Sequence, residues 1–418
     1  MPTKEDNHNV ISLSNPDALV HDPLTDLLRV GARKLIAQAV ETEMSLFLEH
    51  FKDLKLPDGR QQIVRNGHLP EREVQTGIGP VKIKVPRARD RAPLEESIRF
   101  HSNLLPPYMK KTKRLEELIP WLYLKGVSTG QMSEALAALL GQDASGLSAN
   151  TVSRLKDQWT EEFEQFRVKD LSKQACAYIW VDGFYPAIRM EESRHCLLVV
   201  IGVMEDGSKQ FLSITDGFRE SEQSWKEILL DLQYRGLNAP CLAVGDGALG
   251  FWNALKKIFP ETKMQRCWVH KTKNVLDKLP KSEQRKAKQR LKDIYLASTR
   301  QKAEKALDLF VSIYSKKYPK AAQCLKKDRE NLLSFYDFPG AHWVHLRTTN
   351  PIESSFATIK LRTSKTKGCC SKKTGLAMVY KCSMSAQKKW RKVRSPGEVA
   401  DVLSGIPFKD GERIDLAA

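Results

Sequence analysis

The chain contains no long apolar run. Its longest, Cys196–Met204, falls far short of the roughly 20 residues that a membrane-spanning helix needs. The N-terminus, Met-Pro-Thr-Lys-Glu-Asp-Asn-His, is polar and lacks the apolar stretch of a secretory signal. These absences argue against a membrane protein and against export, so a cytoplasmic location is expected. Cysteine is sparse: eight over 418 residues do not build a disulfide framework, and a reducing compartment suits them. Cys267-x-x-His270 has no second pair at finger spacing, and it supplies fewer ligands than a structural zinc takes. No internal repeat or low-complexity segment stands out. Acidic residues are also short, 50 against 68 Lys+Arg for a net charge of +18, and none falls between Ile359 and Arg394. That imbalance implies a polyanionic partner. With the membrane reading weak, nucleic acid is the expected partner, the alternative being a charge that only keeps the protein soluble.

What is present reads as a multidomain α/β protein. Residues 1–100 hold a polar start, a helix over Asp26–Lys52 and a small basic hairpin. The helix carries a stripe of Leu27, Leu28, Val30, Leu35, Ile36, Val40, Met44 and Leu48. The hairpin pairs Glu73–Thr76 with Val81–Val85 around Gly77-Ile78-Gly79-Pro80 and is stopped by Pro86. Residues 101–170 are helical, with segments at Leu115–Leu124, Met132–Leu140 and Thr151–Trp159. Ser128-Thr129-Gly130 and Ser148-Ala149-Asn150 provide starts for the last two. Two such short helices, the second carrying Arg154 and Lys156, suit a helix-turn-helix in the DNA major groove, although an ordinary helical bundle fits the same pattern.

Residues 171–272 change character. Strands are expected at Tyr178–Arg189, Cys196–Val203 and Gln210–Ile214, then a helix from Ser221 to Arg235. A strand at Cys241–Val244, a helix at Leu249–Phe259 and a strand at Thr262–Trp268 follow. That order matches a ribonuclease-H-like core. Residues 273–344 form an all-helical insertion, including Ser282–Leu296 and Arg300–Tyr314, with Leu291, Ile294, Leu307, Phe310 and Ile313 as apolar stripes. Residues 345–395 complete the core, and 396–418 form a tail.

Three acids stand out. Asp182 and Asp246 each close an apolar strand and precede a glycine, where an unpaired charge is expensive and a metal-binding one is useful. Glu353 lies in Thr348-Thr349-Asn350-Pro351-Ile352-Glu353-Ser354, at the start of a helix; by itself it reads equally well as a charge favoured by the helix dipole. Tyr178, Trp180 and Asp182 share one strand face. Gly183 and Gly247 leave room for a phosphate backbone. Glu220, Glu222 and Asp231 are read as solvated charges of one helix. Lys360 follows Glu353 by two helical turns, on the same face, where a cation could hold a DNA phosphate; Arg362 belongs to the same basic run.

Together these residues resemble the Mutator-type family of bacterial insertion-sequence transposases, which carry an Asp-Asp-Glu triad. The resemblance rests on Val181-Asp182-Gly183, Gly245-Asp246-Gly247, Gln265-Arg266-Cys267-Trp268-Val269-His270 and Thr349-Asn350-Pro351-Ile352-Glu353-Ser354. It covers about residues 25 to 395. It implies Asp182, Asp246 and Glu353 as catalytic and metal-binding residues, and a two-ion Mg²⁺ site in which Mn²⁺ can substitute. It also implies double-stranded DNA partners, namely terminal inverted repeats and target DNA, and action as a homodimer. Cys267 and His270 match the family's C-x-x-H element, with His270 contacting DNA or organising the site rather than binding zinc. Gly183-Phe184-Tyr185-Pro186 departs from the family's usual small and apolar run, and Pro186 is expected to end ladder pairing. Two rival readings are a DNA-binding protein without catalysis and a nuclease that cuts without joining.

Overall fold

A computed structural model describes residues 23–92, 97–125, 127, 131–140, 149–185, 195–247, 249–365 and 372–414. The chain is a multidomain α/β protein that divides into two compact units. One comprises residues 1–122 with 129–148, the other 123–128 with 149–418.

In the first unit, α1 (Pro23–His50) packs on two antiparallel strand pairs. These are β2 (Arg72–Thr76) with β3 (Gly79–Ile83), and β1 (Ile63–His68) with β4 (Pro86–Asp90). The expected hairpin is β2–β3, turning through Gly79 at φ 98°. The hairpin ends at Ile83, before Pro86, and Pro86 itself opens β4 and pairs with His68, at a strand's first residue where its missing N–H is tolerated. The helix stripe needs a correction as well. Val40 and Met44 are buried, and Val40 meets Val74, Val81 and Ile83, but Leu27, Leu28, Val30 and Leu35 are exposed. A 28-residue helix runs about 42 Å at 1.5 Å per residue, whereas five-residue strands reach about 17 Å. The short hairpins therefore cover only part of α1.

Helices α2 (Lys113–Leu124), α3 (Met132–Leu140) and α4 (Ala149–Arg167) occupy the expected segments. The two helices expected to form a helix-turn-helix, α3 and α4, fall in different units. Residues 128–130 and 141–148, and the side chains of Thr151 and Ser153, lie outside the described residues, as do residues 1–22 and Pro186. Arg154 is exposed, and the Lys156 ammonium sits 5.9 Å from the Tyr123 ring centre.

The second unit is built on a five-stranded sheet of order β7-β6-β5-β8-β9. Its strands are β5 (Cys176–Phe184), β6 (His195–Met204), β7 (Lys209–Phe218), β8 (Leu242–Gly245) and β9 (Lys263–Arg266). The first three are antiparallel; β8 and β9 add in parallel through α5 (Glu222–Tyr234) and α6 (Leu249–Ile258). The order of strands and helices follows the apolar runs. β6 is apolar without alternation because both its faces are covered. On one face of β5, Ile179 and Val181 join Trp225, Leu229, Phe251 and Leu255 in the main core. On the other, Tyr178 Oη meets His342 Nδ1 at 2.8 Å and Trp180 Nε1 donates to the His345 carbonyl at 3.1 Å. The strand expected to reach Trp268 stops at Arg266. Cys267 instead caps α7 (Trp268–Leu276), so His270 is a helical residue.

The expected helical insertion continues through α8 (Lys281–Tyr295), α9 (Arg300–Tyr314), α10 (Pro319–Lys326), α11 (Arg329–Leu333) and α12 (Trp343–Leu346). Leu291, Ile294, Leu307 and Phe310 form its core, while Ile313 faces outward. The chain then forms α13 (Asn350–Lys365), α14 (Lys372–Gln387), α15 (Glu398–Leu403) and a two-residue hairpin, β10 (Phe408–Lys409) with β11 (Glu412–Arg413). Among the described residues no helix is long and apolar enough to cross a membrane.

Candidate active site

Two of the three expected acids reach the same end of the sheet. Asp182 pairs with Val199 of β6, and β8 runs beside β5 in parallel register from Tyr178↔Leu242 to Trp180↔Val244. The next residues on the two strands' paths bring Asp182, still within β5, beside Asp246, just past the end of β8. Asp182 Oδ1 accepts the Gly183 N–H at 2.9 Å, and Asp246 Oδ1 accepts the Gly247 N–H. Burial pushes the Asp182 carboxyl up to about 7; the charge of His270 and the Gly183 N–H oppose this, and Glu220 and Asp246 add to it.

The Gln265–Lys271 block fixes the neighbouring backbone. Gln265 is fully buried; its Nε2 donates to the Leu332 carbonyl at 3.1 Å and its Oε1 accepts from Phe335 N at 2.9 Å. Arg266 Nη1 donates to the Asp246 carbonyl at 2.7 Å, and its Nη2 lies 3.4 Å from Asp328 Oδ1. Lys271 Nζ also binds Asp328, completing an ion cluster with Arg266 in which each side chain is 8% exposed or less. Trp268 Nε1 donates to the Leu332 carbonyl at 2.9 Å. The motif thus joins the end of β8 to the helical insertion.

Glu353 arrives on the first turn of α13. Thr349 donates its Oγ1 to Glu353 Oε1 at 3.2 Å, and its N and Oγ1 approach Cys267 Sγ at 3.4 and 3.3 Å. His270 Nε2 stands 3.7 Å from Glu353 Oε1. Among the described residues His270 Nδ1 is buried without a hydrogen-bond partner. The Cys267 sulfur beside it raises His270 to about 9, and Asp246 and Asp182 add to this against the cost of burial. Burial pushes the Cys267 thiol up, but polar contacts from His270 and Thr349 outweigh it and leave the thiol below its ordinary range.

Among the described residues, Cys267, His270 and Glu353 form the one group of three or more ligand-type side chains whose donor atoms all lie within 4.8 Å of one another. The expected trio of Asp182, Asp246 and Glu353 is not drawn that tightly. Three like charges repel at such distances, and the cationic His270 stands among them. Three donors, one of them a sulfur already approached by Thr349, fall short of a structural zinc. Carboxylate oxygens from Asp182, Asp246 and Glu353 are instead the hard donors that Mg²⁺ takes. Lys360 is exposed on α13; the side chain of Arg362 lies outside the described residues.

One acid of this centre escaped the sequence reading. Glu220 is not a surface charge of α5: it precedes the helix, and its carboxylate lies against Gly183, beside Asp182. Burial and the charge of Asp246 raise its carboxyl, with His270 opposing. The turn-like polar sequence around it carries no signal of that placement. Glu222 is a surface residue as expected, bound to Asn253 and Lys257.

Comparison with known proteins gives the class first. The chain is similar to the transposase for insertion sequence element IS6120 of Mycolicibacterium smegmatis, 48% identical over 72% of this chain and 93% of that protein. It is 50% identical to the transposase for IST2 of Acidithiobacillus ferrooxidans, over 67% of this chain and 95% of the relative. The transposase for ISRM5 of Rhizobium meliloti is 28% identical over 91% and 90% of the two chains. The profile described as Transposase, Mutator family, matches residues 3–393, and the chain belongs to that family.

Proposed function

We propose that the protein is a transposase that cuts and joins DNA at the inverted-repeat ends of an insertion sequence, using a ribonuclease-H-like core and an Asp182-Asp246-Glu353 triad. The observation that supports this reading is the placing of Asp182 and Asp246 on adjacent strands, with His270 lying between their charges and the helix-borne Glu353, in a strongly basic chain of this family. Asp182, Asp246 and Glu353 would hold two Mg²⁺, with Mn²⁺ able to replace them. When bound, such ions activate the attacking oxygen and stabilise the leaving one. Water adds to a phosphodiester phosphorus at the element end, the bond to the 3′ oxygen breaks, and the strand is left with a free 3′-OH. That hydroxyl then attacks a phosphodiester of the target, joining element to target and releasing a new 3′-OH.

The chain's own residues have distinct parts. His270 offsets the negative charge of the centre, and Thr349 orients Glu353. Lys360 and Arg362 on α13, with Arg154 and Lys156 on α4, grip phosphates. Such binding weakens steeply with salt. Residues of the 101–170 region bind DNA, and the protein acts as a homodimer. The experiment is a cleavage and strand-transfer assay with Mg²⁺ on the DNA flanking the gene. Products joined to target are expected from the native protein; normal cleavage by Asp182→Asn or Glu353→Gln would overturn the assignment.

A further inference from the structure

Glu220 sits where nothing in its local sequence requires it. Arg219 adopts a left-handed backbone, φ 56°, which a non-glycine residue holds only at a cost. That turn reverses the chain between β7 and α5. The backbone of 220–222 is then pressed against Gly250 at the start of α6, where a Cβ would overlap the Glu220 carbonyl oxygen. With its backbone so fixed, Glu220 sends its side chain over β5. A Cβ at Gly183 would lie 2.8 Å from its Cγ, Cδ and Oε1, so the carboxylate rests directly on the residue after Asp182. Two glycines are thus consumed in seating one acid.

From the protein the acid receives only the longer-range charge of His270. Among the described residues the half-buried Glu220 carboxylate makes no hydrogen bond and no ion pair, while the acids of the α5 surface, Glu222 and Asp231, pair with Lys257 and Arg235. An unpaired carboxylate beside two others is unfavourable unless a cation takes it up.

We propose that Glu220 is a fourth carboxylate of the metal centre, donating oxygen to a divalent cation alongside Asp182 and Asp246. This rests on the metal-binding reading of those two aspartates given above. Gly183 then has a defined purpose: only hydrogen at its Cα lets the Glu220 carboxylate reach the strand end.

The proposal is tested by Mn²⁺ titration of the full-length protein without DNA, with free ion followed by electron paramagnetic resonance and folding checked by circular dichroism. Glu220→Gln should weaken Mn²⁺ binding at one or more sites about 10-fold or more, by analogy with the loss of an outer-sphere partner or ligand. Glu220→Asp should recover part of it, Gly183→Ala should weaken it in the same sense by displacing the carboxylate, and Glu222→Gln should match the native protein. A Glu220→Gln isotherm that superimposes on the native one, while Asp182→Asn loses binding, overturns this proposal alone. Absence of Mn²⁺ binding by the native protein, or full binding by Asp182→Asn, overturns the metal-centre reading and this inference with it.

Discussion

The two halves of the candidate site are held in different ways. Asp182 and Asp246 hang on a backbone ladder: β5 is hydrogen-bonded on both sides, to β6 and to β8, and its residues up to Val181 are buried. Glu353 depends on side chains. Its place follows from Thr349, Cys267 and His270, and theirs from the Arg266–Lys271–Asp328 cluster that fastens α7 to the helical insertion. The strand half is therefore robust to changes around it, whereas the helix half can be loosened from a distance.

The largest effect belongs to the strand half itself. Asp182→Asn keeps the size of the side chain and the Gly183 contact but removes the charge. Cleavage should fall by roughly 1000-fold or more, since metal-assisted charge stabilisation amounts to several kcal/mol at tenfold per 1.36 kcal/mol. The melting temperature should stay at or above the native one, because a buried charge with like-charged neighbours has been removed. Measuring rate and melting on the same preparation separates chemistry from folding. A rate within tenfold of native would break the distinction between the halves.

Next comes the support of the helix half. Asp328→Asn leaves Lys271 and Arg266 as uncompensated buried cations, and removal of one partner from such a cluster costs about 3–5 kcal/mol. Chemical denaturation should show that loss. A variant with an unshifted midpoint would mean the cluster does not hold α7 against the insertion.

This contrast also explains which parts were legible in the sequence. The strand half could be read from apolar runs ending in Asp-Gly, because a strand buried on both faces imposes its own composition. Glu353 could be identified only through the motif around it, since its local setting equally suits a helix-dipole charge. Glu220 was misassigned because its position depends on a left-handed turn at Arg219 and on space left by Gly183 and Gly250, none of which is local to the acid. The α1 stripe failed for a related reason. Periodicity shows which face is apolar, but not that the short hairpins reach only Val40, Met44 and their neighbours.

A smaller effect is expected at Cys267. Cys267→Ser keeps a polar atom at the end of β9 but weakens its pairing with His270, so Glu353 should lose orientation without loss of fold. Changes of this kind around a metal ligand typically reduce activity about 10- to 100-fold. Steady-state cleavage at saturating Mg²⁺ checks it. Activity equal to native would remove the sulfur from the ties of the helix half and leave Thr349 to act alone.

The smallest effect probes the weak point of the strand half, which is acid. His345 lies behind β5, where its carbonyl accepts from Trp180 and its Nε2 accepts from Arg394 N at 3.2 Å. Burial first, then Lys209, His342 and Arg394, lower its pKa from 6.5 to about 4. Between those values the unfolded chain binds the proton and the folded chain does not. The stability contribution is therefore complete above pH 6.5, falls as pH drops toward 4, and levels off below it. His342, buried at the Tyr178 hydroxyl and also lowered by burial, adds to the same slope. His345→Gln retains an acceptor for Arg394 N and cannot titrate. Its denaturation midpoint should change less between pH 7 and pH 4 than that of the native protein, by a modest margin since other groups titrate there too. Equal slopes would show that His345 is protonated as readily in the fold as outside it, and that the ground beneath Asp182 is less dry than its packing implies.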